Sequence, residues 1–255
     1  MGRWSRLVAA QFLDWLALPA AGRLLEIACG TGALSAAILA QTAPATLIAL
    51  DRSTSFLAVA RHALARHAVA RRAVPAVHLA ACDAAALPLP AAQFDAVLSG
   101  LALNFFPDPA AALRQMRRAV RPGGLVAGYI WDYPGGMQML RAFWDAAAAL
   151  DPAARALDQG RRHPYDDAVL AALFRDAGLR AVQTTAVEVP TRYRDFDDYW
   201  LPFLDGPSAA PAYLRTLTPP QQDALAARLR DTLPRDADGG IPLTARAWAV
   251  RGENG

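Results

Sequence analysis

Residues Glu26 to Gly32 read Glu-Ile-Ala-Cys-Gly-Thr-Gly, and Asp51 stands 19 positions beyond Gly32. Leu24, Leu25 and Ile27 surround Glu26, so an apolar strand runs here into a turn almost free of side chains. Such a turn lets the backbone approach a ligand closely. A helix beginning just after it directs unpaired N–H groups to the same place. An acidic residue about 20 positions on, at the end of the next strand, is placed to take ribose hydroxyls. The chemistry predicted is recognition of an adenosine-containing cofactor across the carboxyl edge of a parallel sheet.

Two cofactor classes use this geometry. A dinucleotide site takes G-x-G-x-x-G, whereas from Gly30 the chain reads Gly-Thr-Gly-Ala-Leu-Ser, with Ser35 in the third glycine's place. Glu26 inside the first strand is also foreign to that pattern. It is expected to accept bonds from the turn's own N–H groups, holding a bend that receives a sulfonium amino acid instead of a pyrophosphate. A nicotinamide-dependent Rossmann oxidoreductase is the rival reading.

Further pieces follow in order. Cys82-Asp83-Ala84 closes an apolar run from Val77, and Phe94 to Ser99 reads as a fourth buried strand. Asp108-Pro109 opens a helix with an Asp cap and proline in the first turn. Leu113, Met116 and Val120 share one face of that helix, with Arg114, Arg117, Arg118 and Arg121 around it. Arg121-Pro122-Gly123-Gly124 then breaks it before a fifth strand, Leu125 to Ile130.

The ordered set, over about residues 20–131, resembles the class I S-adenosylmethionine (SAM) dependent methyltransferases, in particular the small-molecule type 11 group that includes ubiquinone-biosynthesis enzymes. Ala28 departs from the family's usual glycine. The resemblance implies SAM as cofactor and S-adenosylhomocysteine (SAH) as product. It implies that Glu26, Ala28, Cys29, Gly30 and Gly32 wrap the methionine part, and that Asp51, with Arg52 beside it, binds the ribose. Asp83, between Cys82 and Ala84, would receive the adenine amino group, and Ser99 and Gly100 would offer backbone near the methionine end.

Strands alternate with helical patterns, which predicts an α/β, doubly wound, seven-stranded and mostly parallel Rossmann-like sheet. The pairs are Arg23–Ala28 with Ala33–Gln41, and Ala45–Leu50 with Thr54–Ala70. The latter helix is expected to gather Phe56, Val59, Ala60, Ala63, Leu64 and His67 on one face, with His62 and His67 at its surface or boundary. Helices are expected over Met137–Leu150 and Asp166–Ala177, and strands over Val182–Val189 and Ile241–Val250. The resemblance implies that the final strand is antiparallel. The whole chain is expected to be one domain, with a SAM-binding core over about 20–131 and helical substrate-side insertions or a lid over about 132–178 and 190–240. Phe196, Tyr199, Trp200 and Phe203 recur there at helical spacing, and so long a connection is often a lid.

Methyl transfer from a sulfonium is an in-line displacement at carbon, so the protein mainly positions the reactants and excludes water. An oxygen or nitrogen acceptor can need a base, for which His163 and Tyr199 are the candidates. Trp4, Asn104, Trp131, Tyr199 and Trp200 are candidates to line the acceptor pocket, and Asp132 is expected to reach the active-site edge. A metal-assisted site would want a carboxylate at the end of the fourth strand. Ser99 and Asn104 stand there instead, so no metal is expected.

Composition narrows the partners. The 255 residues carry a formal charge of +3, and all 26 Lys or Arg positions are arginine. Their isolated doublets form no basic stripe interleaved with aromatics, which argues against nucleic acid. The two cysteines lack metal-ligand spacing with the four histidines. Arg3, Arg6 and the apolar stretch after them imitate a signal peptide, but Gln11 and Asp14 interrupt the run. Leu7, Ala10, Phe12, Leu13 and Leu16 suit an amphipathic helix beside the first strand. No run approaches the roughly 20 apolar residues of a membrane span. The expectation is a soluble cytoplasmic enzyme, monomer or homodimer, taking a small, partly apolar acceptor and touching no membrane. The alternative outside catalysis is a SAM-binding partner protein.

Overall fold

A computed structural model describes residues 2–70, 76–158, 160, 165–206 and 208–255. Its contacts divide into two compact units. The first comprises residues 1–130, 165–187 and 248–255, and the second residues 131–164 and 188–247.

The strands are β1 (Arg23–Ile27), β2 (Thr46–Asp51), β3 (Ala76–Ala81), β4 (Phe94–Gly100), β5 (Val120–Trp131), β6 (Arg180–Pro190) and β7 (Thr244–Glu253). They form one sheet in the order β3-β2-β1-β4-β5-β7-β6. The four pairings from β3 to β5 are parallel. β7 is antiparallel to β5, because the Asp132 N–H meets the Arg246 carbonyl while Gly124 accepts from the Asn254 N–H. The expected sheet, with its antiparallel last strand, is what forms.

Alternation along the strands sends side chains to two covered faces. Leu25, Ile27 and Val97 pack with Leu113 and Met116 of α4 (Pro109–Ala119) and with Leu170 and Phe174 of α5 (Asp167–Asp176). On the other face lie α1 (Gly2–Leu16), α2 (Ala33–Gln41) and α3 (Thr54–Ala70), where Ala49 packs with Leu57. Phe12 of α1 meets Tyr129 of β5 at 4.6 Å between ring centres.

Two helical faces differ from expectation. α1 buries Val8, Ala9, Phe12, Leu13 and Leu16 and leaves Leu7 exposed; α3 buries Leu57, Ala60 and Leu64 and exposes Phe56 and Val59. In α3, which is rich in alanine, several faces are almost equally apolar, so its neighbours choose the one that packs. The side chain of His67 lies outside the described ones.

The turn signals are explained by close approach. A Cβ on Gly124 would stand 2.8 Å from the Asp95 carbonyl oxygen. Asp95 in turn takes the Arg23 N–H at 2.7 Å and the Arg121 guanidinium at 2.7 Å. Asp95 therefore stitches β1, β4 and the Arg-Pro-Gly-Gly turn together at the end of the strands remote from Asp51.

The second unit is helical and aromatic. It contains α6 (Gln138–Leu150), α7 (Phe196–Leu204), α8 (Ala209–Leu214) and α9 (Pro219–Thr232). Phe143 stacks on Phe203 at 4.5 Å, and Phe196 stacks on Trp200 at 5.9 Å. Two ion pairs fix its loops: Arg141 with Asp158, and Arg246 with Asp132 at 2.6 Å.

Candidate active site

The first unit carries a cleft of about 350 Å³ at the carboxyl ends of β1, β2 and β3. Ala28, Asp51, Arg52, Cys82, Asp83 and Ala84 all line it, so six of the twelve expected cofactor residues share one cavity. Its size suits a small-molecule site. Ser53, Phe56, Leu87, Phe105 and Phe106 also line it and were not expected from sequence. Signals for some of them exist: Ser53 follows Asp51 at the spacing of an Asx turn, and Phe105-Phe106-Pro107 places two large apolar residues in a loop after β4. Phe105 is 62% exposed, an unusual state for a phenyl ring.

Asp51 holds the turn as well as facing the cleft. One carboxylate oxygen accepts the Gly30 N–H at 2.8 Å, and the other accepts the Ser53 N–H at 2.8 Å. A carboxylate has about four acceptor positions, so two remain for hydroxyl donors. Asp83 is exposed, and its Oδ1 accepts the Ala85 N–H at 2.8 Å.

The turn itself needs unusual backbone. Ala28 sits at φ +56° and Gly30 at φ +55°. Around Gly30 an added Cβ would meet nothing within 4 Å, so its backbone borders open space. Ala28 adopts the left-handed region that its methyl disfavours by roughly 1–2 kcal/mol. A glycine would sit there without strain, so the departure from the family pattern is accommodated by backbone strain as well as by space.

Glu26 corrects the expectation that it would accept the turn's N–H groups. The Gly30 N–H goes to Asp51, and Glu26 accepts instead from the Ser35 hydroxyl of α2. The reason is strand alternation, which turns Glu26 inward, 1% exposed. Burial, aided by repulsion from Asp51 and opposed by the Ser35 bond, pushes its carboxyl up to about 8. Burial likewise raises the Cys29 thiol, with Glu26 and Asp51 adding repulsion. Gly32 caps α2 at φ +85°. Ser99 is wholly buried with an unpartnered hydroxyl, and Gly100 lies against the Tyr129 hydroxyl. Glu26, Cys29, Gly30, Gly32, Ser99 and Gly100 are not among the residues that line the cleft.

The acceptor-side expectations fare differently. Tyr199 is 0% exposed and donates its hydroxyl to the Met139 carbonyl at 2.9 Å. Desolvation drives its phenol upward. Burial and this bond make it a core residue of the second unit, not a wall of the cleft. Asp132 is also engaged, taking both Arg246 Nε at 2.8 Å and Arg246 Nη2 at 2.6 Å on one oxygen and the Gly135 N–H on the other. Trp131 is buried, Trp200 is half-buried on Phe196, and Asn104 has a buried amide nitrogen without a partner. Trp4 is half-buried under the Arg3 guanidinium, 4.4 Å from its ring centre. His163 lies outside the described residues. Among those described, no group of three or more His, Cys, Asp or Glu is arranged to hold a metal ion, and no helix is long and apolar enough to cross a membrane.

Comparison with known proteins meets the same region. The Methyltransferase domain family (Methyltransf_11) matches residues 25–128. A ubiquinone/menaquinone biosynthesis C-methyltransferase of Cupriavidus taiwanensis is 31% identical over 174 residues, which are 63% of this chain and 68% of that one. A malonyl-[acyl-carrier protein] O-methyltransferase of Halorhodospira halophila is 29% identical over 235 residues, 90% of this chain and 75% of that one. The chain spans only 26% to 64% of the length of several other curated relatives it matches. Among solved structures, the YcgJ protein of Bacillus subtilis superposes with a TM-score of 0.60 at 19% identity, covering 97% of both chains. The chain belongs to the class I SAM-dependent methyltransferases. Its small-molecule branch is the one to which the C- and O-methyltransferase relatives point.

Proposed function

We propose that this protein transfers the methyl group of SAM to a small, partly apolar metabolite. The observation that carries the reading is the convergence of Ala28, Asp51 and Asp83 on one cleft beside a turn with open backbone. These residues fit the cofactor: Asp51 has acceptor capacity left for a ribose, Asp83 is exposed for an amino group, and the turn can border a methionine chain. When bound, SAM supplies an already activated methyl group on a cationic sulfur. The chain's own contribution is to hold the nucleoside, through Asp51 and Asp83, and to keep the turn in shape through the Asp51–Gly30 and Glu26–Ser35 bonds. Such positioning is the larger part of catalysis for an activated donor.

Two acceptor chemistries are in view. A carbon acceptor is supported by the C-methyltransferase relative, and a carboxylate oxygen by the O-methyltransferase relative, whose similarity extends over 90% of this chain, second unit included. A carboxylate is ionised at neutral pH and asks no base of the protein. That suits a chain in which Tyr199 and Asp132 are both committed to other partners. We read the second unit as the part that selects the acceptor, and the enzyme as one that needs neither metal nor nucleic acid.

The test is transfer of an isotopically labelled methyl group to panels of phenols, quinones and acyl-thioester carboxylates. Label recovered as a base-labile ester supports the carboxylate acceptor, and label that survives both saponification and ether cleavage supports carbon. No transfer to any acceptor, with SAM bound, would favour the non-catalytic reading.

A further inference from the structure

Glu26 stands among groups that cannot neutralise it. β1 is a central strand, so its carboxyl is enclosed beside α2, and among the described residues its hydrogen-bond partner is the Ser35 hydroxyl. Asp51 at the end of β2 repels it. Glu26 in turn repels Cys29 in the turn and Tyr129 of β5. None of these groups is a cation, and the described histidines His62 and His78 are exposed elsewhere. A buried carboxylate with no opposite charge is expensive, and such a group neutralises itself by keeping its proton.

We propose that Glu26 makes this site selective for a cation, being protonated in the free protein and releasing its proton to solvent when a positively charged cofactor settles at the turn. The inference rests on the methyltransferase reading. One carboxylic O–H bond breaks, the proton passes to buffer, and the carboxylate stays buried behind the turn, its charge offset by the ligand's. SAM carries a sulfonium and an ammonium against one carboxylate, whereas SAH lacks the sulfonium charge. SAM therefore draws the proton out more fully than its product does. Exchange of spent cofactor for fresh is favoured by the same group.

Ser35 tunes the device. Its hydroxyl donates to Glu26 and so favours the ionised form, holding the carboxyl lower than burial alone would. This gives the residue in the third glycine's place a positive role.

The experiment is calorimetric titration of the whole chain with SAM and with SAH, over about pH 5.5 to 9, in buffers of different ionisation enthalpy. Below about pH 8 close to one proton should leave per SAM bound, with the dissociation constant falling about tenfold per pH unit and levelling above it. SAH should show a shallower dependence. Glu26→Gln, near-isosteric with the protonated acid, should abolish the proton release and leave only the ligand's own ammonium titration, which all variants share. Ser35→Ala should move the levelling to higher pH, and Ser35→Thr should restore it. A wild-type protein that binds SAM with no proton release, or a Glu26→Gln variant that keeps it, would overturn the proposal. No SAM binding at any pH would instead remove the methyltransferase reading, and this inference with it.

Discussion

The carboxyl edge of the first unit and the aromatic interior of the second handle polar groups in opposite ways. At the edge, Asp51 and Asp83 bond only neighbouring backbone N–H groups and keep acceptor positions to spare. In the second unit, Asp132 and Tyr199 are consumed by Arg246 and the Met139 carbonyl. A carboxylate that shapes its own loop can still meet a ligand. One locked into a buried ion pair serves the fold. We read that distinction as separating acids left open to a ligand from groups that serve the fold.

The sharpest break of that contrast is Asp132→Ala. Removing the Asp132 carboxylate takes two short bonds from Arg246 and leaves it Glu188 at 3.7 Å, and should lower stability by about 3 kcal/mol. Urea unfolding of the single variants and of the Asp132→Ala, Arg246→Ala double variant would read it. If the singles lose almost nothing, Asp132 is free for another role.

Asp51→Ala should act on the ligand first. It removes a hydroxyl acceptor and two loop contacts, and should weaken SAM by roughly 1–3 kcal/mol. Unchanged affinity in a binding titration would take Asp51 out of the site.

The pH dependence of folding probes the same edge without ligand. Glu26 has a folded value of about 8 against an ordinary 4.5. The folded state therefore holds the proton more tightly. Its stabilisation is complete below the ordinary value and is lost as pH rises through the folded one. Urea midpoints should fall across that window, with a slope approaching about 1.4 kcal/mol per pH unit. Glu26→Gln should flatten this component; an identical slope in the variant would place the titration elsewhere.

The smallest effect is expected at Tyr199→Phe. It removes a second donor from the Met139 carbonyl, which lies within a helix, and should cost about 1 kcal/mol of stability, with turnover preserved. Abolished turnover in a folded variant would return Tyr199 to the role of base.

Legibility from sequence followed the same divide. The β1–turn–α2–β2 unit was readable because its signals are local: a strand that must end, a turn that tolerates few side chains, and an acid at a fixed distance. α2 and α3 span the residues their patterns predict. What Glu26 bonds was not readable, because its partner Ser35 and the acid that takes the turn's N–H, Asp51, are set by spacing in three dimensions. The inward face of α3 is legible only in part because alanine blurs its period, and Phe56 of that helix lines the cleft without a signal in the sequence. In the second unit, Phe196, Tyr199, Trp200 and Phe203 form a stripe that a lid or a core would share. Only the Met139 contact shows Tyr199 to be core.

The account turns on one nucleoside being held by Asp51 and Asp83 beside the Ala28–Gly32 turn. A crystal structure of the chain grown with SAH tests this most directly. The ribose hydroxyls should lie on Asp51, the adenine amino group on Asp83, and the amino-acid end along the turn. A nucleoside bound elsewhere, or a cleft that stays closed to it at saturating SAH, would contradict the assignment.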